Sequence, residues 1–337
     1  MSLRDYLDLV RAPAVLSVLG DTLAGAAAGG RFAAAGHARR AGGPPGPADV
    51  RTWRLALLPL SSACLYAGGM ALNDYADREL DAVERPERPL PSGRVSPAQA
   101  LAVASGLTVA GLTLAGAGGG RRSFALAVPL AASVWTYDLV AKDRAAGPAV
   151  MAACRGLDVL MGAGRGRLRA ALPAASALTA HTAGVTVLSR GEVHGTRTWV
   201  AAAVAAGTAG VAGTVAGGAL QGLRRGLTSR RGAVARDGRG AQAVAALSAL
   251  SALASTGVYV ASCLPKQLSA VALPDAAGAF TATKAGIRAM VPLQAALAAR
   301  GGSMGAVAVL AGVEVAGRAL RARARRSPSP RPGLSES

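Results

Sequence analysis

The feature that most constrains this chain is a succession of long apolar stretches separated by short polar breaks. A helix needs about 20 mostly apolar residues to cross a bilayer, and several such runs follow one another here. The runs predict helices over residues 11–30, 54–75, 97–118, 122–140, 148–163, 170–189, 197–219 and 241–261. Two more candidates, 284–299 and 303–320, are split by Arg300-Gly301-Gly302. They form either one membrane helix with an interfacial lead-in or two helices. The expected fold is therefore all-α: a polytopic transmembrane bundle of about nine helices with a possible tenth, one domain over 1–320. The basic, Ser/Pro-rich segment 321–337 is expected to be a disordered tail. The opening MSLRDYLDLVRAPAVL carries acids and no clear cleavage site, so it reads as the approach to the first membrane helix and not as a removable signal.

Of the 337 residues, 51% are hydrophobic but only 3% aromatic, and Ala, Leu, Val and Gly dominate the runs. Small residues let helix backbones approach closely in lipid, where packing drives association. The net charge of +19 would suggest nucleic acid in a soluble protein. Here the arginines sit mainly in the breaks between apolar runs, with no interleaved aromatics. Anionic lipid headgroups and a phosphate-bearing ligand account for them better than nucleic acid does. Cys64, Cys154 and Cys263 lie far apart without CxxC spacing and read as reduced packing residues.

Counting helices sorts the breaks into two faces. One face carries the N-terminus and the loops near 76–96, 140–148, 189–197 and 262–283, with nearly all the acidic loop residues. The other carries the loops near 31–53, 119–122, 164–169 and 220–240. Lys and Arg are more numerous on the second face, so charge bias alone gives no orientation.

The first face holds Asn73-Asp74-Tyr75-Ala76-Asp77-Arg78-Glu79-Leu80-Asp81, at the end of the second run. On a continuing helix Asn73, Asp77 and Asp81 share a face, with Asp74 beside them. Three carboxylates and an amide oxygen at a membrane surface are costly unless a cation neutralises them. Mg²⁺ suits such hard oxygen donors, usually one or two carboxylates completed by substrate phosphates. Asn73, Asp74, Asp77 and Asp81 are thus candidate metal ligands, with Asp74 and Asp77 the candidate catalytic acids. Directly afterwards, Glu84-Arg85-Pro86-Glu87-Arg88-Pro89-Leu90-Pro91-Ser92-Gly93-Arg94 is stiffened by three prolines, and Arg85 and Arg88 are placed to face a diphosphate.

The stretch NDYADRELDAVERPERPLPSGRVS resembles the first signature of the UbiA superfamily of intramembrane prenyltransferases, an NDxxDxxxD motif followed by an RPLPSG-like turn. Arg11-Ala12-Pro13 before the first helix and the helix count resemble that family too, so the likeness covers roughly residues 4–300. The resemblance implies a helical bundle around a central cavity that opens laterally to lipid. It also implies a Mg²⁺-bridged prenyl diphosphate under a capping loop, an unidentified small-molecule acceptor, and a motif face in the cytoplasm of a multi-pass cell-membrane protein.

In Tyr137-Asp138-Leu139-Val140-Ala141-Lys142-Asp143-Arg144, with Pro148 beyond, Tyr137, Lys142 and Pro148 loosely match a second family pattern. Lys142 is one of three lysines and, as a compact charge, suits a diphosphate; the alternative is an ordinary loop lysine. The family's second acidic motif is missing. In its place stands Leu188-Ser189-Arg190-Gly191-Glu192-Val193-His194-Gly195. Glu192 is the remaining carboxylate and the candidate replacement metal ligand and catalytic acid, with Arg190 and His194 as substrate contacts. LSRGEVHG resembles an actinobacterial branch of the superfamily.

Several ionisable residues fall inside apolar runs, where charge usually faces a cavity or a partner. Asp21 has no local partner and is expected at the cavity as a substrate contact. Arg155 and Asp158 are spaced i, i+3 and are expected to pair, with Asp158 also a substrate contact. His181 reads as a packed histidine. Glu314 and Arg318 read as a structural pair. Lys284 and Arg288 either bind the distal phosphate or snorkel to headgroups.

Three functions remain open at this stage: prenyl transfer, terpene cyclisation on the same fold, and non-catalytic carriage of a lipid diphosphate. A CDP-alcohol phosphotransferase is disfavoured because no DGxxAR stretch follows the first acids.

Overall fold

The structure is a computed structural model that describes residues 2–11, 15, 17–32, 49–228 and 238–326. Among the described residues every regular element is helical. In chain order they are α1 (Leu3–Leu9), α2 (Leu19–Ala28), α3 (Asp49–Ala76), α4 (Arg78–Glu84), α5 (Pro97–Thr136) and α6 (Gly147–Ala163). Then come α7 (Leu168–Ser189), α8 (Thr198–Thr228), α9 (Gly238–Ala272), α10 (Ala276–Arg300) and α11 (Met304–Arg326). Five segments are long and apolar enough to cross a membrane: Ala56–Ala76, Pro97–Ala141, Leu168–Ser189, Thr198–Arg224 and Gln242–Ala272.

Local sequence explains most of the boundaries. Ser96 caps α5 in a reciprocal box with Gln99, and Pro97 occupies the first turn, where its missing N–H costs nothing. Gly120 (φ 72°, ψ −166°) bends α5 into the two limbs the sequence separates there. Asp275 caps α10, accepting from the Gly278 N–H at 2.6 Å. Gly302 (φ 78°) turns the chain between α10 and α11, so the two C-terminal candidates are separate helices.

Several boundaries correct the sequence reading; in the expected loop 220–240, α8 runs on to Thr228 and α9 begins at Gly238. The expected loop 262–283 is mostly helix: α9 continues to Ala272 and only Leu273–Asp275 breaks it. Tyr259, Cys263, Gln267 and Ala270 form one buried helical stripe straight through Pro265 and Lys266. The first run yields a helix of 10 residues, α2, with residues 12–14 and 16 outside the described set. Most of the loop expected at 31–53 and the end of the expected tail also lie outside it, while α11 runs to Arg326.

Consecutive long helices pack as neighbours from α3 round to α10, and α10 closes back on α2 and α7. The central cluster draws Ala24 from α2, Val159 from α6, Leu178 from α7, Val215 from α8, Tyr259 from α9 and Leu293 from α10. α2 and α6 touch backbone to backbone. A Cβ on Gly162 would stand 2.2 Å from the Thr22 carbonyl oxygen, and one on Gly25 1.8 Å from that of Val159. Only glycine allows that approach.

The two faces predicted from helix counting assemble as such. On one, Arg94 donates to Asp5 (3.0 Å) and Asp8 (3.3 Å) of α1, and the Thr196 N–H donates to the Pro274 carbonyl at 2.8 Å. On the other, the Arg167 N–H donates to the Gly29 carbonyl at 3.0 Å. Arg31 there donates to the carbonyls of Gly162 and Gly118 at 3.1 and 3.3 Å.

Candidate active site

Asn73 and Asp74 end α3, and Asp77 is the single residue between α3 and α4. The Asp77 N–H donates to the Asn73 carbonyl (2.9 Å) and the Asp81 N–H to that of Asp77 (2.8 Å), so the turn runs unbroken through the junction. The i, i+4, i+8 register of the motif therefore survives. Each carboxylate meets a cation from a different segment. Arg11 donates to Asp74 at 2.6 Å and reaches Asn73 Oδ1 at 3.5 Å. Lys142 pairs with Asp77. Arg88 pairs with Asp81 and lies 3.5 Å from Asp74, and Arg85 lies 3.6 Å from Asp81.

Arg11 holds φ at 47°, and no other non-glycine among the described residues has a positive φ. A left-handed arginine is strained, and strain of this kind persists where the surroundings over-determine it. The proline loop is similarly fixed. Ser92 Oγ donates to the Arg88 carbonyl at 2.6 Å, Gly93 turns at φ 73°, and Leu90 and Val95 bury beside Leu9 and Leu72. Arg85 and Arg88, expected to face a ligand, are thus engaged with the motif's own acids.

The second cluster contains a π-helical turn, Tyr137–Ala141, closed by the Lys142 N–H on the Tyr137 carbonyl at 2.9 Å. Such turns recur at functional sites because the extra residue re-aims side chains. Here it presents Lys142 to Asp77 and sets Asp138, which is buried, 3.5 Å from Asn73 Nδ2. Asp138 and Arg11 are the participants that sequence reasoning quoted but did not single out. An acid four residues before Lys142 was the available signal for the first; the Arg11-Ala12-Pro13 likeness was the signal for the second, though it gave Arg11 no partner.

Beneath this mouth lies a cavity of about 270 Å³ between α3, α5 and α6. Arg11, Asn73, Tyr137 and Asp138 stand at one end, and Ser62, Arg155 and Asp158 at the other. Leu65, Met70, Leu130, Val134 and Met151 line its sides.

The remaining candidates come from other segments, some within the bundle, and make no hydrogen bond or ion pair with the motif's acids among the described residues. Arg190 donates to the Arg144 carbonyl and so ties two loops of this face together. Glu192 is partly buried beside Thr283 and Lys284 at the start of α10. Burial holds its carboxyl above the ordinary glutamate value, against the opposing pull of the Thr283 hydroxyl and the Lys284 charge. Lys284 also sits 4.5 Å over the Phe280 ring; His194 and Arg288 are exposed. The expected Arg155–Asp158 pair is replaced by partners across the bundle, because the residues that meet these side chains lie on other helices. Arg155 donates to Asp21 at 2.7 Å, and Ser62 donates to Asp158 at 2.5 Å. Asp21 also accepts from Gln294 at 2.6 Å and does not line the cavity. His181 is a packed histidine, 3.0 Å from both the Gly286 carbonyl and the Tyr259 hydroxyl. Glu314 and Arg318 pair at 2.8 Å as expected.

No group of three or more Asp, Glu, His or Cys side chains among the described residues converges to cage a metal ion. The donor set fits a different kind of site. Asn73, Asp74 and Asp77 offer hard oxygens at one mouth, and Mg²⁺ ordinarily takes only one or two carboxylates and completes its shell with phosphates and water.

Residues 31–282 match the UbiA prenyltransferase family, and the chain belongs to that family. Among curated relatives, it is 59% identical over 49 residues to the digeranylgeranylglyceryl phosphate synthase of Methanothrix thermoacetophila, covering 14% of this chain and 18% of that protein. It is 38% identical over 109 residues to the synthase of the same name from Ignicoccus hospitalis, covering 32% of this chain and 30% of that one. The chain therefore spans less than a third of the length of these relatives. They are archaeal, where an actinobacterial branch of the family was expected. The structure of a UbiA homologue from Aeropyrum pernix K1 superposes with a TM-score of 0.51 over 81% of this chain and 94% of that one, at 16% identity, a likeness of fold.

Proposed function

We propose that this chain transfers the prenyl group of an allylic diphosphate to an acceptor within the membrane, with Mg²⁺ as cofactor. The observation that carries the reading is the charge balance at the mouth. Four cations (Arg11, Arg85, Arg88, Lys142) face four carboxylates (Asp74, Asp77, Asp81, Asp138) at the head of an apolar-walled cavity. A diphosphate entering that mouth brings surplus negative charge, which a divalent cation on Asn73, Asp74 and Asp77 would neutralise. Bound Mg²⁺ supplies Lewis-acid stabilisation of the departing diphosphate.

The chain's own groups do the rest. Lys142 and Arg11 are the cations placed to contact the diphosphate oxygens, with Arg88 and Arg85 holding the loop over them. As the C1–oxygen bond breaks, its electron pair leaves with the diphosphate and the allylic carbon becomes electron-deficient. Leu65, Met70, Leu130, Val134 and Met151 keep water from that carbon until the acceptor's electron pair forms the new bond. Tyr137 lines the same space. Glu192 is the remaining acid of the 188–195 segment and is assigned to a second metal contact, with Arg190, His194, Lys284 and Arg288 around the distal phosphate. The motif face is assigned to the cytoplasm.

The relatives' name supplies the first substrates to try: geranylgeranyl diphosphate as donor and a geranylgeranylglyceryl phosphate as acceptor. The test is diphosphate release by the purified protein in lipid nanodiscs with Mg²⁺. Release that depends on acceptor supports transfer. Release without acceptor, with a cyclic product by mass spectrometry, indicates cyclisation, and absence of release indicates a carrier.

A further inference from the structure

The face opposite the mouth concentrates positive charge with almost no acids. Its breaks at 31–53, 119–122 and 164–169 hold four, two and three arginines and one acid, Asp49. Three of these arginines meet at one corner, where α2 ends, α5 bends and α6 turns into α7. Arg31 is half-buried there and already engaged, donating to the Gly162 and Gly118 carbonyls at 3.1 and 3.3 Å. Arg165 lies along the bend: a Cβ on Gly120 would stand 2.9 Å from both its Nε and its Nη2. Arg167 lies over the end of α2, with Nη2 3.6 Å from where a Cβ on Gly30 would be. Gly30 and Gly120 hold φ at 78° and 72°, so bare backbone forms both seats. Burial, and then the charge of Arg165, pull Arg31 below the ordinary guanidinium value, to about 10.

Arg165 and Arg167 are exposed, and their guanidinium groups have no hydrogen-bond or ion-pair partner among the described residues. Helix ends do not account for them. Three helical segments finish at the corner (α2, the first limb of α5 and α6) and two start there (the second limb of α5 and α7). At about half a charge each, finishes and starts nearly cancel, so three guanidinium groups leave a surplus of about two positive charges. The corner also stands at a bilayer surface. Leu168 begins the candidate span Leu168–Ser189, and Gly120 bends the 45-residue segment Pro97–Ala141 at its middle. One turn further in, the apolar side chains of Phe124 and Leu172 are exposed beside the cations.

We propose that Arg31, Arg165 and Arg167 form a binding site for the phosphate of an anionic lipid head group, on the face away from the mouth. A guanidinium is a planar fork of donors that stays charged, which suits phosphate oxygens. Phe124 and Leu172 favour a lipid over free phosphate, because they give its acyl chains a surface to follow. An occupied site clamps the end of α2 to the α5 bend and the α6–α7 turn, segments whose cations otherwise repel one another. The site lies outside the residues assigned to prenyl transfer and does not rest on that reading.

The experiment follows thermal unfolding of the purified full chain in detergent while dioleoylphosphatidylglycerol is titrated in. Dioleoylphosphatidylcholine and inorganic phosphate are the parallel arms. Phosphatidylglycerol is expected to raise the melting temperature by several degrees and the other two to leave it unchanged. No shift with phosphatidylglycerol, or an equal shift with phosphatidylcholine or with inorganic phosphate at matched concentration, would overturn the anionic-lipid assignment. Arg165→Gln/Arg167→Gln should raise the phosphatidylglycerol needed for half the shift by about 30-fold, at roughly fivefold for each arginine near an anionic surface. Each single substitution should raise it about fivefold, which keeps the test readable should the double variant not fold. Without lipid the double variant should melt no lower than the wild type, because repulsion is relieved and no contact is lost; a lower melting temperature would give the two arginines a structural role instead. Arg144→Gln/Arg197→Gln removes the same charge from exposed positions on the mouth face and should keep the wild-type response. An equal loss of response there, or an unchanged response in Arg165→Gln/Arg167→Gln, would overturn the site.

Discussion

Asp77 and Asp81 sit four residues apart on one face, and on the proposed function they do opposite work, Asp77 at the metal and diphosphate and Asp81, also expected as a metal ligand, in an ion pair with Arg88. Asp77 and Lys142 are both partly exposed, with side chains 22% and 17% accessible. A partly exposed ion pair contributes on the order of 1 kcal/mol to stability or less. Asp81 is 2% accessible and holds Arg88, itself 19% accessible. Removing one partner of a buried pair costs roughly 3–5 kcal/mol, and the access of Arg88 and Arg85 to water places this case near the lower end. Asp77→Ala should therefore fold and melt close to the wild type while losing diphosphate release about 10²–10³-fold, the usual effect of deleting one electrostatic stabiliser of a transition state. Asp81→Ala should melt at clearly lower temperature. The assay pairs thermal unfolding in detergent with initial rates of release at saturating Mg²⁺ and donor. An Asp77→Ala protein that keeps activity within about 10-fold of wild type would refute the assignment of this carboxylate to the metal and diphosphate. An Asp77→Ala protein that melts below Asp81→Ala would refute the division of labour.

Release should need Mg²⁺ or Mn²⁺ and stop on exhaustive chelation, because the donors are hard oxygens; undiminished activity in chelator would rule the mechanism out. Glu192→Gln should raise the Mg²⁺ concentration for half-maximal rate and slow turnover if Glu192 serves a second metal contact; a variant with unchanged kinetics removes that role. The same variant has a stability signature. The folded carboxyl of Glu192 titrates above its ordinary value of 4.5, so its contribution favours the fold below about 4.5 and is lost as pH rises through the raised value. Glu192→Gln should accordingly melt higher than wild type near neutral pH, with the gap closing towards about pH 4; a gap that widens on acidification contradicts the burial argument. Gly162→Ala places a Cβ 2.2 Å from the Thr22 carbonyl oxygen and should destabilise the fold by about 1–3 kcal/mol, read as a lower melting temperature.

The sequence was most informative where the physics is local. Apolar run length gave the helical limbs, Gly120 and Arg300-Gly301-Gly302 marked real breaks, and helix counting sorted the loops onto two faces that the structure assembles. The motif's register was legible because i, i+4, i+8 is a property of one helix. What stayed hidden depends on partners far along the chain. Lys142 meets Asp77 across 65 positions and Arg155 meets Asp21 across 134, so spacing suggested Arg155–Asp158 in their place. The extension of α9 was missed because run length ended the helix at 261, while the buried stripe that carries it on has members four and three residues apart. The backbone of Arg11 left no trace in composition or spacing.

Arg94 clasps α1 through Asp5 and Asp8, while Arg11 just beyond it completes the mouth on Asp74. Both partners, Asp74 at the end of α3 and Arg94 in the proline loop, are synthesised after α1, with α2 and most of α3 between. During biogenesis the amino-terminal segment must therefore wait at the membrane surface, its charges solvated, until the second half of the first hairpin has emerged. A bulky fusion at the amino terminus would compete for that waiting position and slow maturation without touching any group that meets substrate.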